Sequence, residues 1–343
     1  MANISKCENC GADLTFVPGK GTLYCKSCGS NFHVQSNLGK VKRHKYSSDY
    51  VQEKSEQGQT QYHCPACGSN IFAGREKQVS ICASCGNTNL EKKSSSVYVP
   101  DGIVPFEINK ERAGEIFLKY VKSRKFAPSD LSQMAKSHKI IGLYAPVWKF
   151  DFQALTRYRY IGIKKYLDND KIEREKEYEL DKEKVQNYDN LLLSGNAKLS
   201  NEVLNELGEY DFSKAVPYTS EYVLGFYMSD TNKSVHDEFE QKTSDISNQI
   251  KNSIENRIRD DYDRIDGFRC KTFFKDPFFN YLAIPVWINH YKYKNKDYHC
   301  YINGQTGKTT GTYPKSFWKI FSLVCAVALG IGAIALIISK FIN

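Results

Sequence analysis

Apolar residues recur along this chain with more than one period, and the changes of period divide it into segments. After Asn109, the residues Ala113, Ile116, Phe117, Tyr120 and Val121 follow the i, i+3, i+4, i+7, i+8 spacing of one helix face. Asn109 is placed to cap that helix and Pro128 to end or redirect it. A longer stripe, running from Val235 and Phe239 through Ile246, Ile250, Ile254 and Ile258 to Tyr262 and Ile265, predicts a second helix over about 234–265 whose other face is charged. Period-two alternation of aromatic and β-branched residues with polar ones predicts strands over 147–160, 161–166 and 283–310. The triplet Pro-Val-Trp enters such a strand twice, at 146–148 and 285–287, which hints at a duplicated half-domain. Residues 164–184, dense in charges of both signs, read as a solvated hairpin or loop. The last apolar segment, 320–338, holds nineteen residues without a charge. At 1.5 Å per residue it nearly matches a hydrocarbon core of about 30 Å, and Trp318, Lys319 and Lys340 sit where interfacial anchors do.

The first ninety residues carry a repeat of a different kind. Cys7, Cys10, Cys25 and Cys28 have the spacing C-x2-C-x14-C-x2-C, and Cys64, Cys67, Cys82 and Cys85 repeat it with the same gap. Each pair supplies two thiolates from a tight knuckle, so each quartet can close one tetrahedral site for a structural Zn2+; a rubredoxin-like iron site uses similar ligands. Glycine follows every knuckle, at Gly11, Gly29, Gly68 and Gly86, where the sharp turn favours a positive φ. Four thiolates leave no position for water or substrate, so the two ions are expected to hold folds and do no chemistry. Residues 36–61 between the quartets are polar, with a basic cluster at Lys40, Lys42, Arg43 and Lys45, and read as a linker.

Composition refines this picture. The chain has 343 residues, 41% of them hydrophobic, which is enough for one sizeable core and smaller modules. The formal charge of +9 is the balance of 48 basic and 39 acidic residues, too mixed for a dedicated polyanion binder. Eight of the eleven cysteines lie in the quartets and Cys270, Cys300 and Cys325 stand alone, which is metal arithmetic and not a disulfide framework. No apolar run near Met1 serves as a signal peptide, so the thiols are expected in a reducing cytosol. Lysines exceed acids between Lys292 and Lys319, favouring the cytoplasmic side for the domain before the apolar run.

Other motifs carry less. The segment from Gly304 to Thr309 resembles a phosphate-binding loop, but Ile302 occupies the position of its first glycine and Asn303-Gly304 is a hairpin signal, so no nucleotide is expected. His290, His299 and Cys300 can meet across a hairpin, with satisfied side chains the default reading. No catalytic constellation is visible, and the chain is read as not an enzyme.

The CxxCG ribbons, Val104-Pro105-Phe106, Phe126-Ala127-Pro128, the segment 142–150 ending Pro-Val-Trp-Lys-Phe, Pro285-Val286-Trp287 and the segment 303–308 together resemble a bacterial family of membrane-anchored, transcription-factor-IIB-type zinc-ribbon proteins, often mislabelled as primosomal replication-restart helicases. Some members are encoded beside flotillin-like (SPFH) and phage-shock-type proteins. The expected fold is two small β zinc ribbons with four-cysteine sites (residues 1–35 and 62–93), an α+β middle domain (97–315) and one C-terminal transmembrane helix (317–340). The expected function is a non-enzymatic membrane-anchored adaptor, single-pass with the bulk of the chain in the cytoplasm, that docks membrane-maintenance or envelope-stress proteins. The expected partners are the lipid bilayer and proteins of the SPFH or phage-shock type. The rival reading is a membrane-tethered nucleic-acid-binding regulator.

Overall fold

The computed structural model describes residues 6–34, 39–50, 54–55, 59–74, 82–83, 85–93, 97–131, 140–294 and 296–342. The first ribbon is a three-stranded sheet of β1 (Leu14–Val17), β2 (Thr22–Cys25) and β3 (Asn31–His33). The residues between the ribbons add β4 (His44–Lys45) and β5 (Lys54–Ser55), and the second ribbon contributes β6 (Gln59–His63), β7 (Asn70–Gly74) and β8 (Glu91–Lys93). Strand β9 (Val97–Tyr98) pairs with β5, and β10 (Gly102–Ile103) precedes the helix α1 (Lys110–Lys122). Two very long strands follow, β11 (Ile140–Leu167) and β12 (Glu173–Ser194), then the short helix α2 (Asn201–Leu207), β13 (Val216–Pro217) and β14 (Tyr227–Ser229). The helix α3 (Val235–Asp261) leads into a third long strand, β15 (Arg264–Tyr293), and β16 (Lys296–Asn303), β17 (Thr309–Gly311) and the helix α4 (Phe317–Ile342) complete the chain.

Twelve of these strands form one mixed sheet, in which β6, β7 and β8 of the second ribbon are joined to the rest through β14. The expected α+β middle domain following two N-terminal ribbons is therefore corrected to a mostly sheet architecture that includes the strands of the second ribbon. The physical reason is that alternation does not stop where charge begins. Residues 164–184 continue the pleat of β11 and β12, turning at Asp168 to Lys171, because alternate side chains still meet α3 on one side. Leu180 and Tyr188 pack with the isoleucines of that helix and Tyr178 meets Tyr262 at its end, while Glu179, Asp181 and Glu183 between them are exposed on the other side.

Both helices predicted from periodicity are present. The Asn109 side chain accepts the amide of Arg112 at 2.8 Å to cap α1, and Ala113, Phe117, Tyr120 and Val121 are buried. Helix α3 ends at Asp261, and Ile265, the last residue of the predicted stripe, lies in β15 instead.

The Pro-Val-Trp hint of duplication has a structural counterpart. Strand β10 lies parallel to β15 with Gly102 opposite Leu282, three residues before Pro285; β14 lies parallel to β11 with Tyr227 opposite Leu143, three residues before Pro146. Gly102 stands as far before the N-cap Asn109 as Tyr227 before the N-cap Ser234. Each long strand then turns back as a hairpin, β11 into β12 and β15 into β16, and Pro146 and Pro285 each accept an amide at 2.9 Å, from Gly195 and Gly304. Two βαββ units thus lie side by side with β11 and β15 antiparallel at the centre.

The transmembrane expectation is also corrected. Among the described residues no helix is long and apolar enough to cross a membrane, so the spanning segment at 317–340 and the single-pass, C-terminally anchored placement built on it are not supported. Helix α4 begins as an extension of the folded body: Ser316 donates its amide to Phe126, and Lys319 donates to the carbonyl of Ala127, both at 2.7 Å. This holds a charged ammonium within its first turn, and the described side chains that follow are largely exposed.

Candidate metal centres

All four knuckles have the same backbone. The first cysteine donates its amide to the carbonyl five residues on and accepts the amide of the glycine four residues on, as in Cys7 with Ala12 and Gly11, both 2.8 Å. The pattern repeats at Cys25, Cys64 and Cys82 with distances of 2.7 to 2.9 Å. The four glycines have φ between +72° and +78°, the left-handed region that their position predicted.

These turns bring the sulfurs together in two sets of four. Within each set all Sγ atoms lie within 4.8 Å of one another. The Cys7–Cys28 and Cys10–Cys25 separations are 3.5 Å, and those of Cys64–Cys85 and Cys67–Cys82 are 3.7 Å. A tetrahedron with metal–sulfur bonds of about 2.3 Å has edges of about 3.8 Å, so both sets fit a four-thiolate divalent ion. The eight cysteines singled out by their spacing are brought together in two sets positioned to hold metal ions. Cys270, Cys300 and Cys325 join neither set.

Residues just outside the ligands tune them. The Ser30 hydroxyl, 3.2 Å from the Cys28 sulfur, and the Ser30 amide lower the Cys28 thiol to about 6. Burial pushes Cys67 up, but the hydroxyl and amide of Ser69 outweigh it and bring that thiol down to about 7. The Ala12 amide favours the thiolate of Cys10, yet the neighbouring Cys25, Cys28 and Cys7 sulfurs push it up to about 12, and burial leads the rise of Cys85 to about 11. Four thiols this close cannot all lose protons unless a cation takes their place, so binding releases protons and strengthens with pH. The two serines were legible as the third letter of Cys-Gly-Ser in both ribbons.

The ribbons are docked onto the sheet. Phe16 of the first is buried against Tyr222 and Phe226, and its amide donates to Leu224 at 2.9 Å. Cys7 and Cys25 share a core with Tyr144 and Trp287. Cys64 and Cys82 share another, with Leu143, Ala145 and Val147, which alternation places on the opposite face of β11. Nothing in the CxxC spacing announced this docking, because the aromatic partners come from the distant segment 222–226.

Of His290, His299 and Cys300, which could meet across a hairpin, the two histidines do. His290 and His299 are cross-strand partners with Nδ1 atoms 2.7 Å apart, whereas Cys300 lies opposite Asn289. His290 Nε2 donates to the Ala83 carbonyl at 2.6 Å, which fixes its tautomer and makes its Nδ1 the acceptor of the His299 N–H. This pair clamps the second ribbon between two of its ligands. Burial lowers both imidazoles below the ordinary 6.5, so both are neutral when folded, and their contribution is complete above the unfolded value and lost as pH falls through the folded ones. We expect the metal-loaded protein to lose denaturation midpoint below about pH 6.5, and His299→Gln to reduce that loss; an unchanged pH profile in the variant would reject the clamp.

Of the predicted basic cluster only Arg43 has its charge engaged by the fold; Lys40, Lys42 and Lys45 are exposed, and Lys42 and Lys45 join the structure through their backbones. Arg43 stacks on Phe278 at 4.6 Å and pairs with Asp151 at 3.4 Å, Lys42 accepts from Asn280, and Lys45 is paired in the sheet with Phe278. The segment resembling a phosphate-binding loop is the β16–β17 turn, in which Asn303 Oδ1 accepts the amides of Gln305 and Thr306 and no helix follows.

No family model matches this chain, and no solved structure matches it. The chain is similar to the uncharacterized protein YdjG of Bacillus subtilis (strain 168), with 26% identity over 328 residues that cover 95% of this chain and 94% of that protein.

Proposed function

We propose that this protein is a non-enzymatic, zinc-stapled adaptor whose two ribbons and central sheet present docking surfaces to other proteins. The observation that supports this reading best is the closure of both metal centres: every sulfur in each set is turned toward its three companions, and a filled tetrahedron offers no position to a substrate. Such ions lock shape, and here each locks a ribbon against the sheet. The partner class is taken from the family resemblance, namely flotillin-like (SPFH) or phage-shock-type proteins of membrane maintenance and envelope stress. The rival reading, nucleic-acid binding, keeps the exposed Lys40, Lys42 and Lys45 but loses Arg43, whose guanidinium is engaged by Asp151 and Phe278.

The test is a binding measurement with the purified full chain against purified SPFH and phage-shock-type proteins from the same source, and against duplex DNA, over a salt series. Protein binding that survives moderate salt and disappears on zinc chelation is expected, since apolar burial is not screened. Tight, sequence-selective DNA binding whose affinity falls by about 0.9 log units per phosphate contact for each log unit of salt would overturn the adaptor reading.

A further inference from the structure

The long strands β11, β12 and β15 extend beyond the rest of the sheet as a three-stranded ribbon with α3 on one face. On the other face the side chains form three columns. The β12 column is acidic: Glu173, Glu175, Glu177, Glu179, Asp181 and Glu183, all exposed. The β15 column is mainly basic, with Arg264, Arg269, Lys271 and Lys275 exposed. Between them run Arg157 and Arg159 of β11, paired to Glu183 and Asp181.

Two features of this face are unfavourable in an isolated chain. Arg159 stands directly opposite Arg269 and Arg157 directly opposite Lys271, and like charges in cross-strand pairs are destabilising. The row formed by Val185, Leu155 and Phe273 is apolar, yet Val185 is 57% and Phe273 38% exposed. Arg269, Lys271, Glu177 and Glu179 take part in none of the ion pairs among the described residues.

We infer that this face is the interface for a second copy of the chain. A two-fold axis along the strands lays the acidic column of each copy over the basic column of the other and brings the two apolar rows together. Three strands about 4.8 Å apart and about twelve residues long at 3.3 Å each offer roughly 600 Å² per copy, so the pair buries about 1,100 Å², near the lower bound for a specific interface. Its electrostatic part is salt-dependent.

The test uses the full chain in a non-ionic detergent that shields the exposed apolar side chains of α4, with mass measured by sedimentation at about 0.1 M and 1 M salt. A dimer at low salt, weakened at least about tenfold at high salt, is expected. Arg269→Glu with Lys271→Glu, and Asp181→Lys with Glu183→Lys, each reverse one side of the pairs that the axis lays over one another, since Asp181 and Arg269 both stand opposite Arg159 and Glu183 and Lys271 both stand opposite Arg157; each variant is expected to be monomeric with unchanged metal content. An equimolar mixture of the two variants should recover a dimer, because each then complements the other. A monomeric wild-type chain at every salt concentration, a dimer indifferent to both variants, or a mixture that fails to associate would each overturn the inference.

Discussion

Replacing Cys82 with serine is expected to remove one of two bound metal ions and most of the stability of the sheet. A structural zinc site carries about 10–16 kcal/mol of apparent binding free energy, comparable with or larger than the about 5–15 kcal/mol by which a typical domain is stable. In the second ribbon that energy is not confined to the ribbon, because β6 and β7 are strands of the main sheet and the Ala83 carbonyl holds His290. Cys25→Ser should also remove one ion, but its damage should centre on the separate three-stranded sheet and on the docking of Phe16. Metal analysis and thermal unfolding on the same samples decide the matter. Retention of both ions by Cys82→Ser would show that the second four-thiolate set is not a metal centre, and a coloured, iron-loaded protein would replace zinc in the account.

Phe106→Ala is expected to cost about 3–5 kcal/mol, the range for deleting a large aromatic from a packed core. The ring is fully buried, stacked on Phe226 at 4.4 Å and in contact with Tyr144 and Trp287 at 5.0 and 4.9 Å. Gly304 presses against the same ring, where a Cβ would approach within 2.6 Å, so this wall is built to the size of phenylalanine. The Phe106 carbonyl also accepts the amide of Gly19, so loosening this residue should expose the first ribbon to proteolysis before the sheet melts. A lower denaturation midpoint, with a still larger loss of ribbon protection, is expected; a variant with wild-type stability would mean that the aromatic cluster is not a core.

Where a period was unbroken the sequence was legible. Asn109 and its apolar stripe marked α1 almost to the residue, and the isoleucines of α3 marked its length within one turn. The eight ligands were legible because tetrahedral sulfur geometry demands the CxxC knuckle and its glycine. Residues 164–184 were harder, because only a few apolar side chains such as Tyr178 and Leu180 mark the face turned toward α3, and the regular exchange of acids with bases and aromatics in β12 carried most of its pleat. The joining of the second ribbon to the sheet left no local trace, since Ile71 and Phe72 meet Ser229 and Met228 from a segment far along the chain. The apolar 320–338 run read as a span by composition alone, which does not report how Lys319 and Ser316 attach its helix to the body.

The side-by-side βαββ units imply a history as well as a shape. Where β11 and β15 run antiparallel with matching neighbours on their outer sides, each unit meets the other as one half of a self-complementary association would. A single ancestral unit placed against its own twin could have built the same central sheet before fusion joined the pair. After fusion the halves were free to diverge, one lengthening its hairpin into β12 and the other its helix into α3. Residues at the seam, Leu143 with Val286 and Ala145 with Ile284, therefore answer to both halves at once, and they are the positions least free to change one at a time.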